Sequence, residues 1–108
     1  MKVPFVYQKP ESWPCRVLAS EVRFGKPVEV APHFKWASFV VGRHPGPGMH
    51  NWYAVHNVET GHRISLENDK KLAVENARRF LSRLSEAEWW WLSCSTLVHG
   101  SYLYRGDL

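Results

Sequence analysis

Cysteine, long apolar runs and recognisable catalytic motifs are what this sequence has least of. Its two cysteines, Cys15 and Cys94, stand far apart and belong to no C-x-x-C pair, which excludes a zinc ribbon or a dithiol redox motif. The first residues lack the apolar stretch of a secretory leader, so both thiols are expected to be reduced and the protein cytoplasmic. No uninterrupted apolar run exceeds four residues, the length of 89–92. A helix that crosses a bilayer needs roughly 20, and no membrane association is expected. No self-similarity at a period of about 20–50 residues is present, which sets solenoids aside. With 108 residues, a single domain 1–108 with one modest core is expected, too small for separate cofactor and substrate domains. Dinucleotide-binding folds, barrels and large enzymes are excluded on that ground, and no cofactor is expected.

Acid is missing locally. Fourteen Lys and Arg against ten Asp and Glu give a net charge of +4. Residues 30–58 contain neither Asp nor Glu, yet carry Lys35, Arg43, His33, His44, His50 and His56. Imidazoles with an ordinary pKa of about 6.5 gain charge beside an anionic partner. Such a stretch presents a field suited to an acidic protein face or to nucleic acid.

Patterning, by contrast, is plentiful. Pro4, Pro10 and Pro14 among Phe5, Tyr7 and Trp13 favour extended backbone, and residues 1–14 read as an aromatic arm lying across the body. Residues 15–66 read mainly as strands. Leu18, Val22 and Phe24 alternate with polar residues, a turn follows at Gly25-Lys26-Pro27, a short return strand spans 28–31, and a third strand spans 34–41. Residues 42–51, rich in glycine and proline, read as a long loop. Strands at 52–58 and 63–66 flank a hairpin turn in which Gly61 takes positive φ. The period then changes. Ala73, Ala77, Phe80, Leu81 and Leu84 form one stripe, predicting a helix over 67–84 capped by Asn68. Ser85 and Glu88 form the capping box of a second helix over 85–99, and 100–108 is a short tail or strand. The expected class is α+β: an antiparallel sheet of about four to five strands packed against two helices from the C-terminal half.

The strongest candidate for function is the run Trp89, Trp90 and Trp91. On a helix three consecutive side chains fan over about 200°, wider than the stripe of somewhat more than 100° that one packing face covers. At least one indole is therefore left at the rim, where tryptophan is characteristic of binding hot spots. The leading expectation is a non-enzymatic module that docks on a macromolecular partner, in the first place a protein. Trp89, Trp90 and Trp91 would be its centre and Arg43, His44 and His50 its polar rim. A homodimer mate would cover the same indoles. A nucleic-acid-binding alternative uses Lys35, Trp36, Arg43 and Trp52, since aromatic rings on a sheet beside basic groups stack and steer single strands. A second alternative is a small His-dependent ribonuclease. In it His50, His56 and His44 handle protons while Arg43 or Lys35 holds phosphate. His44, His50, His56 and His62 recur every six residues, but His50 and His56 on one strand lie about 20 Å apart, against about 2 Å from nitrogen to zinc. No metal is expected.

In size and composition the chain resembles the short proteins of phages and mobile elements, among them inhibitors of host defence such as anti-CRISPR proteins. The resemblance implies a stoichiometric inhibitor and assigns no residue a role.

Overall fold

The computed structural model describes residues 1–10, 18–44, 48 and 51–99. Cys15, His50 and the expected tail at 100–108 lie outside the described residues. Five strands, β1 (Val3–Pro10), β2 (Leu18–Val28), β3 (Phe39–His44), β4 (Trp52–Asn57) and β5 (Arg63–Glu67), pair antiparallel in chain order. Helices α1 (Lys70–Leu81) and α2 (Glu86–His99) follow, giving the α+β arrangement that the sequence predicts.

One face of β3, β4 and β5 carries Phe39, Val41, Val55 and Ile64, which close with Ala73, Ala77, Leu81 and Trp89 into the main core. The two alanines let α1 lie close to the sheet, so Ser65 Oγ on β5 donates to the Ala73 carbonyl at 2.7 Å and its burial is satisfied. Asp69, not Asn68, caps α1: its carboxylate accepts the Lys71 amide at 2.9 Å. The capping box of α2 forms in full, Ser85 N donating to Glu88 Oε1 at 2.8 Å and Glu88 N to Ser85 Oγ at 3.1 Å.

Two expectations at the N-terminal end need correcting. The expected arm is an edge strand over residues 3–10, in register with residues 18–25 of β2 (Val3 opposite Gly25, Phe5 opposite Arg23). Pro4 and Pro10 suit an edge, where a missing amide breaks no ladder on the open side. The expected turn at residues 25–27 is absent, because β2 runs straight through it. Its last residues Lys26, Pro27 and Val28 pair with Val41, Val40 and Phe39. Gly25 is there for proximity. A Cβ on it would meet Val40 Cβ at 2.7 Å, so only glycine lets β2 pass β3 at that point. Beyond it the β1–β2 ribbon lies over the sheet face away from the helices, where Phe5 and Val40 form a second small core.

The return strand expected at 28–31 and the start of the third strand at 34 are also displaced. Residues 29–38 are irregular but bury Val30, Ala31 and Phe34. Their polar backbone is satisfied from outside the sheet. Arg78 Nη2 donates to the Glu29 carbonyl at 2.9 Å, and His33 Nε2 lies 2.8 Å from the Leu84 carbonyl. The hairpin between β4 and β5 turns on Gly61, φ 76°, and on Asn57. Asn57 Nδ2 donates to the Ser38 carbonyl (3.1 Å) and to Glu59 Oε1 (3.0 Å), while its Oδ1 accepts from Thr60 N (2.9 Å) and Thr60 Oγ1 (2.7 Å).

Candidate functional site

The three consecutive tryptophans divide as helical geometry requires. Trp89 is 0% exposed, its ring against Phe39 and edge-on to His62, with centroids 5.8 and 6.5 Å away. Trp90 is half-buried and Trp91 is 69% exposed. Trp89, placed in the partner-contacting set by sequence, is therefore a core residue, because the first ring of the fan meets the sheet squarely. Trp90 and Trp91 are the two indoles of the run that reach solvent.

A neighbour that the docking set omitted joins them. The Glu86 carboxylate, in the first turn of α2, accepts the amides of Lys35 (2.7 Å), Trp36 (2.6 Å) and Ala37 (2.9 Å). Partial desolvation pushes this carboxyl up. The three amides and the Trp90 side chain outweigh it and hold its pKa below the usual carboxylate value. The anchored segment holds Trp36 outward, 76% exposed. Trp36 and Trp90 thus meet around one carboxylate, with Trp91 the next residue along the helix. Lys35 is exposed beside them.

The expected rim is elsewhere. Trp89 meets β3 at its first residue, Phe39, whereas Arg43 and His44 end that strand, about 13 Å further on at 3.3 Å per residue. Arg43 also lies on the opposite sheet face from His44: Arg43 is opposite Tyr53 and His44 opposite Trp52. Arg43 Nη2 donates to Asn51 Oδ1 across the base of the loop. The alternative nucleic-acid quartet is divided by the same geometry, with Lys35 and Trp36 near Glu86 and Arg43 and Trp52 at the far end of β3 and β4.

A second cluster occupies the face away from the helices. His44 is opposite Trp52 and His56 opposite Val40, with the pair Gly42 and Ala54 between them. Neither intervening side chain exceeds a methyl, so the two imidazoles lean over the gap and stack with centroids 5.6 Å apart. Phe5 covers the other side of His56 at 4.8 Å. Arg63 stands directly opposite His56 on β5, and Arg23 opposite Phe5 on β2. Burial, then His44, Arg63, Arg23 and His62, keep the His56 pKa well below its ordinary value. Of the residues named for the ribonuclease alternative, His44 and His56 stack, Arg43 lies on the opposite sheet face from His44, and His50 is outside the described residues. His56 is only 4% exposed, so its ring is closed to a ribose hydroxyl, and Lys35 lies in the segment before β3 that Glu86 of α2 anchors. Sequence reading missed Arg23 and Arg63. The signal for Arg63 was its place directly after the tight turn, which fixes its partner on β4.

Among the described residues no group of three or more His, Cys, Asp or Glu is placed to hold a metal ion, and no helix is long and apolar enough to cross a membrane. No family model matches the chain, and no curated protein or solved structure matches it at a significant level.

Proposed function

We propose that the chain is a non-enzymatic module that docks on a protein partner through the indoles of Trp36 and Trp91, with Trp90 between helix and rim. The observation that supports this reading is the contrast within one short helix: Trp89 fills the core completely while Trp91 is 69% exposed. The main core is closed by Trp89 with Trp90 packed against it, and Trp91 lies outside that cluster. Large rigid indoles with little rotamer entropy to lose are the side chains that dominate interface energetics. Lys35 beside Trp36, and Arg79 and Arg83 exposed near the end of α1, favour a partner whose apolar patch has an acidic border. A stoichiometric inhibitor, as the size and composition suggest, is the form such a module would take.

The test uses the intact protein as bait in a lysate of its native host, beside Trp91→Ala and Trp36→Ala. One protein should be depleted from both variant captures, and its purified form should bind each variant at least about 30-fold more weakly, the equivalent of about 2 kcal/mol. Thermal melts of the variants should match the parent. Equal recovery and equal Kd for parent and both variants would remove the proposal.

A further inference from the structure

We infer that the cavity between residues 29–33 and the C-terminal end of α1 binds a free α-amino acid with an apolar side chain, its carboxylate on Arg78 and its ammonium on Glu29, His33 and Ser82. The cavity holds about 370 Å³ and is lined by Glu29, Val30, Pro32, His33, Arg78 and Ser82, a size within the usual range of small-ligand sites. Val30 is its buried member, and the others are exposed. A second cavity of about 390 Å³ shares Glu29, Val30 and Pro32 and is otherwise lined chiefly by apolar side chains, among them Val28, Phe34 and Phe39.

The polar side chains of the first cavity are pinned by main-chain carbonyls and keep capacity for a ligand. Arg78 Nη2 donates to the Glu29 carbonyl at 2.9 Å, which fixes the guanidinium and leaves its other N–H groups for a carboxylate. His33 Nε2 lies 2.8 Å from the Leu84 carbonyl. A carbonyl can only accept, so Nε2 carries the proton and Nδ1 of the neutral ring is an acceptor. Ser82 Oγ gives its proton to the Arg79 carbonyl at 2.7 Å and has lone pairs left. Opposite charges therefore line one space without joining. Arg78 takes the main-chain oxygen of Glu29, and among the described residues neither its guanidinium nor the Glu29 carboxylate is in an ion pair. A ligand that carries both signs a few bonds apart satisfies both ends. The Glu29 carboxylate, His33 Nδ1 and Ser82 Oγ are three acceptors on the same cavity, and a primary ammonium has three N–H groups to give them. The cavity also adjoins the C-terminal end of α1, where the helix dipole favours a cation. A phosphate or a dicarboxylate fits less well, because Glu29 repels its second charge. The apolar cavity alongside takes the side chain, which selects leucine over glycine. The site shares no residue with the Trp36 and Trp91 surface, so its failure leaves the docking proposal untouched.

The probes are L-leucine, N-acetyl-L-leucine, L-leucinamide and glycine, each added to the intact protein at matched pH and ionic strength. The readout is the backbone amide resonances of Val30 and His33 and the Nε–H resonance of Arg78. L-leucine should shift all of them saturably at or below about 50 mM, which fills any site of millimolar Kd. N-acetyl-L-leucine lacks the ammonium and L-leucinamide lacks the carboxylate, and each should bind at least about tenfold more weakly. Glycine has no side chain to bury and should also bind at least about tenfold more weakly. Arg78→Gln and Glu29→Gln, read at the two backbone amides, should each weaken L-leucine at least about tenfold, while Lys70→Gln at the opposite end of α1 should bind it like the parent. Should Arg78→Gln lower the melting temperature, Arg78→Lys keeps the charge without the fork and should still weaken L-leucine. The proposal is overturned if L-leucine shifts none of these resonances saturably, or if either blocked compound binds as tightly as L-leucine. It is equally overturned if Glu29→Gln and Arg78→Lys, both folded by their melts, bind like the parent. Glycine that binds as tightly as L-leucine overturns the role of the adjoining apolar cavity.

Discussion

Gly25 and Val40 approach so closely that a Cβ on Gly25 would lie 2.7 Å from both Val40 Cβ and Val40 Cγ2. Val40 Cβ is fixed by its strand and cannot rotate away. Gly25→Ala must therefore push β2 off β3 and loosen Phe5 from His56, at a cost of about 2 kcal/mol. Gly42 stands in the same crossing, but a Cβ there meets the Phe24 carbonyl at 3.3 Å and Gly25 Cα at 3.6 Å, so Gly42→Ala should cost about 1 kcal/mol or less. Urea midpoints should rank parent, Gly42→Ala, Gly25→Ala. The reverse order would show that the ribbon does not cross β3 at Gly25.

Acid should weaken the fold in a defined window. Burial lowers the His62 pKa to about 4, and burial with its cationic neighbours lowers that of His56. Both are neutral when folded, so the unfolded chain binds protons first. Stability is complete above the unfolded value of about 6.5 and declines as pH falls below it, until the folded value is passed. His62 alone removes about 2 kcal/mol between pH 7 and pH 5. The Glu86 carboxylate, held below the usual range by its amide donors against partial desolvation, contributes above its unfolded value and adds a loss only at still lower pH. Urea unfolding at pH 7 and pH 5 should show the drop, and His62→Gln should reduce it. A flat profile between those values contradicts neutral burial of either imidazole.

Asn57 is buried with every polar atom of its amide engaged, joining the irregular segment before β3 to the turn before β5. Asn57→Ala leaves Thr60 N and the Glu59 carboxylate without this partner, and about 3 kcal/mol is expected. Asn57→Asp keeps the acceptor toward Thr60 but sets a carboxylate against Glu59 Oε1 and the Ser38 carbonyl, so at pH 7 it should cost at least as much. Urea denaturation with an unchanged m-value checks both variants. Two variants as stable as the parent would mean that the hairpin does not depend on this network.

What the sequence made legible followed from local periodicity. The stripe of Ala73, Ala77 and Leu81 and the Ser85 to Glu88 spacing locate both helices, because capping and a 3.6-residue period involve only near neighbours. Residues whose role depends on a distant partner were misread. Gly25 and Pro27 look like a turn until Val40 is known to sit against them, and residues 34–37 look like a strand until Glu86 claims their amides. The candidate sites show the same division. The fan of indoles alone required one ring to face outward, whereas the stack of His44 on His56 needed the β3–β4 register and the small Gly42 and Ala54 between them.

Glu86 makes a separable prediction. Its carboxylate gathers the amides of Lys35, Trp36 and Ala37, and without its charge those donors lose most of their reason to stay together. Glu86→Gln should speed hydrogen exchange of the three amides while leaving those of β4 unchanged, and should lower Tm by several degrees. Glu88→Gln removes charge two residues along the same helix, where the carboxylate accepts from the Ser85 amide and side chain, and should leave the exchange of residues 35–37 as it is. If the two variants behave alike at those amides, Glu86 is not what fixes the segment bearing Trp36.

Trp89 and Trp91, two residues apart on α2, should respond in opposite ways to the same truncation. Trp89→Ala empties the centre of the main core, leaving Phe39 and His62 without their common neighbour. It should cost about 4 kcal/mol, close to the whole stability of a small domain. Trp91→Ala removes a ring that is 69% exposed and should change stability by no more than about 0.5 kcal/mol. Quenching by iodide, which reaches only solvent-facing indoles, gives an independent check: the quenched fraction should fall in Trp91→Ala and in Trp36→Ala, but not in Trp89→Phe. Comparable losses of stability for Trp89→Ala and Trp91→Ala would mean that Trp91 packs within its own chain, and the surface assigned to a partner would not exist.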